Sequence, residues 1–251
     1  MKLRLLLACL IMSLSQAMAQ QNIADEIKTS NGNLKIQPVS HASMVLTWNN
    51  KNIYIDPTGN ADMYKSFGAP DLIIITDIHG DHMDLKTIEA LNTKNAIIIA
   101  PLAVGYQLPA SSREKLIMLK NGMQTSQMAM MVKAMPMYNL PEADDSHHRK
   151  GRGNGYILTL GGKSVYISGD TEDIPEMRKL EKIDVAFVCM NLPYTMNIDQ
   201  AASAVLEFKP KIVYPYHYRG QDIKAFQKLV NKKNKKIDVR LRDWYPGSGP
   251  E

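Results

Sequence analysis

Leu72-Ile73-Ile74-Ile75-Thr76-Asp77-Ile78-His79-Gly80-Asp81-His82-Met83-Asp84 is the stretch on which the reading of this chain turns. It opens as a continuous β-branched run of the kind that forms a strand buried on both faces. It then becomes polar, and helical spacing follows over residues 84–91. The polar side chains therefore emerge at a strand's end, which is where sites form in layered α/β proteins. Asp77, His79, Asp81 and His82 fall within six residues, and a turn lets positions i, i+2, i+4 and i+5 point inward together. Imidazole and carboxylate suit zinc first, and also manganese or iron, so these side chains can converge on divalent cations. A plainer reading stands beside it: a polar loop in which Asp81 or Asp84 caps the next helix.

Outward from this stretch, short strands are expected at residues 34–39, 44–48 and 52–55, closed by the turn signal Asp56-Pro57-Thr58-Gly59. Ile97-Ile98-Ile99 repeats the buried run. Further strands are expected at 115–119, 127–135, 156–160, 164–168, 185–190 and 211–214, with helices at 174–181, 199–208 and 222–233. Strands, then strand-helix alternation, then the same kind of sequence again describe a layered α/β domain of two similar halves without a strict repeat. The domain is expected over residues 34–251, behind a lead-in at 20–33. The alternating Met128, Met130, Met131, Met135 and Met137 fit a packed strand rather than a soft-metal site.

Composition narrows the function classes. With 251 residues, 45% hydrophobic and 22% charged, the chain has room for one large globular domain and is not built like a disordered or multi-span protein. Residues 1–19 carry Lys2 and Arg4, the apolar run from Leu5 to Leu14, and Ala17-Met18-Ala19, the three regions of a secretory signal. Cleavage before Gln20 and export to the periplasm or medium are expected. The apolar run is too short to cross a bilayer, and no other is longer. Loss of Lys2 and Arg4 lowers the formal charge from +5 to +3, too little for a nucleic-acid groove; a small-molecule substrate is expected. Cys9 leaves with the signal, and Cys189 reads as a thiol in a buried strand.

The remaining histidines also sit beside turns: His41 between two strands, His147 and His148 in the loop ending at Gly151, and His217 just after a strand. Asp170 follows a strand too, with Gly169 allowing a sharp turn. Thr76-Asp77-Ile78-His79-Gly80-Asp81-His82 resembles the Thr-His-x-His-x-Asp-His signature of the metallo-β-lactamase fold, and Gly169-Asp170-Thr171 and Tyr216-His217 resemble its later ligand motifs. His41-Ala42-Ser43, Ile55-Asp56-Pro57, His148-Arg149-Lys150-Gly151 and Gly155-Tyr156 resemble the branch that includes L-ascorbate-6-phosphate lactonase.

That resemblance implies a four-layer αββα sandwich with metals at the edge between two sheets, and metal-dependent hydrolysis of a lactone, ester, amide or phosphodiester. Carried over by position, Asp77, His79 and His148 hold one metal, Asp81, His82 and His217 the other, and Asp170 bridges them. His148 is preferred to His147 because the ligand stands three residues before the glycine at Gly151. Asp77 departs from the pattern, which most often has His there; a harder, anionic ligand favours manganese or iron, or single-metal occupancy. Asp81 is the candidate to orient or deprotonate the attacking water. His41 either stabilises substrate or completes a coordination shell, or else holds the first hairpin. Arg149, Lys150, Arg152, Tyr194 and Arg219 lie near the motifs, as receivers of an anionic substrate or as solvated loop residues. Two rivals remain: a binding protein without turnover on the same fold, and a phosphodiesterase like the phospholipase D for N-acylphosphatidylethanolamine.

Overall fold

Alternation along the strands sets the layers. In β4 (Lys51–Ile55) and β5 (Leu72–Ile74), Ile53, Ile55, Leu72 and Ile74 join the main core, whereas Tyr54 and Ile73 join a separate apolar cluster. A strand buried this way on both faces needs cover on each. The computed structural model, which describes residues 24–246, shows that cover; the expected signal and its cleavage point lie outside the described residues.

The first sheet has seven strands in sequence order: β1 (Asp25–Lys28), β2 (Asn33–Ser40), β3 (Ser43–Trp48), β4, β5, β6 (Ile97–Ala100) and β7 (Leu116–Met118). The second also has seven: β8 (Gln124–Gln127), β9 (Met130–Met137), β10 (Gly153–Leu160), β11 (Lys163–Ile167), β12 (Val185–Cys189), β13 (Ile212–Tyr216) and β14 (Asp238–Val239). Each pairs three times antiparallel, then three times parallel, so the two halves share one topology. The outer face of the first sheet is covered by a 3-10 helix (Ala61–Phe67), α1 (Leu85–Ala90) and α2 (Leu102–Gln107), through Tyr64, Ile88 and Val104. The second sheet packs against α3 (Pro175–Arg178), α4 (Ile198–Phe208) and α5 (Ile223–Lys233), through Met177, Val205 and Phe226. The order is the expected αββα.

Three expectations are corrected. The lead-in at 20–33 contributes β1, whose Ile27 is buried and pairs with Leu34, so the folded domain starts earlier than residue 34. The strand expected at 127–135 is a hairpin: Met128 and Ala129 take φ of 54° and 60° between β8 and β9, without the Gly or Asn that signals such a turn. The helix expected at 174–181 shrinks to α3, which starts on Pro175.

Because β4 pairs antiparallel with β3 and parallel with β5, the β2–β3 hairpin and the segments after β4 and β5 meet at one end of the sheet. The same pairings bring the β9–β10 connection and the segments after β11 and β13 together in the other. His41, Asp56 and the 75–84 loop thus come from one half, His148, Asp170 and His217 from the other.

Candidate metal centre

His82 is fully buried and lies between carboxylates from both halves. Its Nδ1 is 2.9 Å from Asp56 Oδ2 and its Nε2 is 3.2 Å from Asp170 Oδ2. Asp56 is itself fixed by the Thr76 backbone N–H and hydroxyl, each donating at 2.7 Å. His217 Nε2 comes within 3.2 Å of His82 Nε2, of 3.2 Å of Asp170 Oδ1 and of 3.4 Å of Asp81 Oδ2. His148 Nε2 stands 3.2 Å from Asp170 Oδ2. The tautomer of His148 follows from Asn139, whose Oδ1 faces Nδ1 at 3.2 Å and leaves Nε2 bare. Gly169, at φ +60°, makes the turn that presents Asp170; a Cβ there would meet Met137 Sδ at 2.6 Å.

The electrostatics favour a cation. Burial opposes charge on His82, yet the carboxylates of Asp170 and Asp56 outweigh it and hold its pKa well above the ordinary value. For Asp170, burial is outweighed by the charges of His217 and His82, and the carboxyl sits well below its usual range. Asp81 is likewise depressed, against burial, by hydrogen bonds with His217 and His41.

Donor chemistry tests whether an ion fits. Among the described residues, the buried side-chain atoms without a hydrogen-bond partner include His148 Nε2, Asp170 Oδ1 and His217 Nδ1, all in this cluster. Two imidazole nitrogens facing each other at 3.2 Å cannot both be bare without a shared cation or proton. Nitrogens that each bind zinc at about 2.0–2.1 Å in a tetrahedral arrangement are roughly 3.3 Å apart. The group His82, Asp170 and His217 therefore fits a divalent ion, with Asp81 beside it. Asp77, His79 and His148 form a second group, and His41, Asp81 and His217 a third.

The cluster floors a cavity of about 410 Å³ lined by His41, His79, Asp81, His148, Asp170, Asn191 and Arg219, with His147 and Tyr194 at the wall. His147 stays exposed against the Tyr194 ring at 5.0 Å, so of the two neighbouring histidines it is His148 that turns inward. The His41 backbone N–H donates to the Trp244 carbonyl at 2.6 Å, which pins the hairpin, while its Nε2 meets Asp81 Oδ2 at 3.0 Å. Burial lowers its pKa, and the Asp81 hydrogen bond only partly offsets this.

Of the basic candidates, Arg219 reaches the cavity wall, whereas Lys150 is engaged with Glu142 and Glu176 and Arg152 turns inward onto Asp77. Sequence reasoning missed Asp56 as a partner of His82, Asn139, and Tyr245, whose hydroxyl lies 2.8 Å from His41 Nδ1. Asp56 left one signal: it follows β4 much as Asp170 follows β11, the same strand of the other half.

A four-layer sandwich with a His/Asp cluster at the rim between its sheets defines the metallo-β-lactamase fold. A family model described as Beta-lactamase superfamily domain matches residues 35–217. The chain belongs to that superfamily and, within it, to the UPF0173 metal-dependent hydrolase family. A UPF0173 metal-dependent hydrolase of Staphylococcus carnosus is 31% identical over 201 residues, covering 73% of this chain and 87% of the relative. One from Pyrococcus abyssi is 28% identical over 221 residues, covering 82% and 96%. A crystal structure from Parabacteroides distasonis, described as a metal-dependent hydrolase, superposes with a TM-score of 0.80 at 41% identity, covering 88% of this chain and 98% of that one.

Proposed function

We propose that the protein is an exported hydrolase that uses a divalent cation, zinc first, to activate water against a small lactone, ester, amide or phosphodiester. The observation that carries this is the convergence of the Nε2 atoms of His82, His148 and His217 on the Asp170 carboxylate, each at 3.2 Å, at the floor of an open cavity. The relatives' shared name supports the reaction class.

His82, Asp170, His217 and Asp81 are the proposed ligands of the ion, with His148 facing the same carboxylate. When bound, such an ion supplies a water acidified to near neutral pH and a Lewis acid for the oxyanion. Asp81, held by His41 at 3.0 Å and lining the cavity, is placed to orient or deprotonate an attacking water. His41 fixes Asp81 in turn, with its other ring nitrogen on Tyr245. Asp56 holds His82 from behind. Arg219 offers the cavity wall a cation suited to an anionic substrate, in keeping with the lactonase-like branch that handles a phosphorylated sugar acid.

Export rests on residues 1–19, and the N-terminal sequence of protein recovered from the periplasm or medium should begin at Gln20. The test of the activity is a panel of lactones, esters, amides and phosphodiesters assayed with zinc or manganese. At least one substrate should turn over, and His217→Ala should reduce that rate by three orders of magnitude or more. A stable, metal-loaded and inert protein would favour a binding role instead.

A further inference from the structure

Asp77 is fully buried, and the permanent cation opposite it is Arg152. The guanidinium approaches as a fork, with Nε donating to Oδ1 at 3.3 Å and Nη2 to Oδ2 at 3.0 Å. His79 closes the group: its Nδ1 is 2.8 Å from the same Oδ2, and its Nε2 is 3.4 Å from Arg152 Nη2. Both carboxylate oxygens of Asp77 and both ring nitrogens of His79 are thus engaged. Of Asp77, His79 and His148, whose donor atoms lie within 4.8 Å of one another, only His148 keeps a bare nitrogen. The other trio, His82, Asp170 and His217, meets no lysine or arginine in any ion pair among the described residues.

We propose that Arg152 takes the place of a second metal ion, so that the centre holds one divalent cation, on His82, Asp170 and His217, with the guanidinium as its permanent cationic neighbour. The proposal rests on the metal-dependent reading above and fixes its stoichiometry. Charge supports it. Asp77 and Arg152 form a locally neutral pair, since Arg stays protonated at any working pH, so this group has no net negative charge to offer a second ion. A second divalent ion on Asp77, His79 and His148 would stand beside the guanidinium, where repulsion is poorly screened. Arg152 does not line the cavity, whereas His79 does, so Arg152 is a positioning residue that acts through Asp77 and His79.

The test loads the purified protein with manganese(II), removes free metal, and reads ions per chain by elemental analysis together with the paramagnetic resonance spectrum. One ion per chain with the spectrum of an isolated ion is expected. Two ions with an exchange-coupled spectrum would overturn the proposal and leave the hydrolase reading intact; a folded protein that retains none would overturn both. The double variant Asp77→His with Arg152→Gln removes the guanidinium and supplies a neutral donor. It should double the stoichiometry to two ions per chain. A variant with wild-type circular dichroism that stays at one ion would also overturn the proposal, and if it fails to fold the wild-type measurement still decides.

Discussion

At the scale of single residues, the account places distinct demands on side chains that only support the ligands. Asp56 accepts from Thr76 and faces His82 Nδ1, so Asp56→Asn puts an amide N–H against a donor and loosens the imidazole. Metal affinity should fall about 10–100-fold, read by calorimetric titration, with secondary structure unchanged. Tyr245 holds His41 and accepts the Arg219 backbone N–H at 2.8 Å. Tyr245→Phe should lower kcat about 2–10-fold, the worth of one hydrogen bond of about 0.5–1.5 kcal/mol, and leave the metal content unchanged. The residue scale is also where the sequence is most and least informative. His79, His82 and Asp81 announce themselves by spacing in one loop, and His217 and Asp170 by following strands. Asp77 beside Arg152, and His41 beside Tyr245, are 75 and 204 positions apart, and nothing local marks such partners.

Among elements, the C-terminal segment and the 3-10 helix carry more than their length suggests. Trp244 is fully buried against Phe187 and Tyr216, with ring centroids at 6.2 and 5.5 Å, and its carbonyl receives the His41 N–H. Trp244→Ala should therefore destabilise by about 3–5 kcal/mol in urea denaturation and weaken the hairpin that carries His41. On the 3-10 helix, Tyr64 stacks on Tyr54 of β4 at 5.2 Å, and each hydroxyl donates to a carbonyl, of Thr58 and Gly68 respectively. Burial pushes both phenols up to about 12, with their mutual repulsion adding for Tyr54 and hydrogen bonds from Ser43 and Thr58 opposing for Tyr64. The folded state thus favours the neutral phenols over an unfolded value of 10.0. That stabilisation is complete below about pH 10 and lost as pH rises through about 12, so unfolding free energy should drop across this window in alkaline titrations. Tyr54→Phe with Tyr64→Phe should make the drop shallower, the other buried tyrosines keeping the remainder. The strands that alternate or run continuously apolar were legible; β1, α2 and the Met128-Ala129 turn were not, because short elements owe their conformation to the sheet they join.

For the whole molecule, the centre is the seam between two topologically equivalent halves, since His82 comes from one and Asp170 and His217 from the other. A bound ion therefore ties the halves together, and its removal by chelator should lower Tm. Metal at about 100 times its Kd contributes about 2.7 kcal/mol, which for a domain of this size corresponds to a Tm shift of about 5–11 °C. The layered α/β character and its two similar halves were readable from the succession of strands and helices, because layers follow from which faces are apolar, whereas the four-layer αββα order came only with the family resemblance. The most direct measurement is an anomalous difference map from a crystal soaked in zinc, recorded at the zinc edge. The account predicts a strong peak within coordination distance of His82 Nε2, His217 Nε2 and Asp170. A protein that binds zinc only elsewhere, leaving these three without a peak, would contradict it.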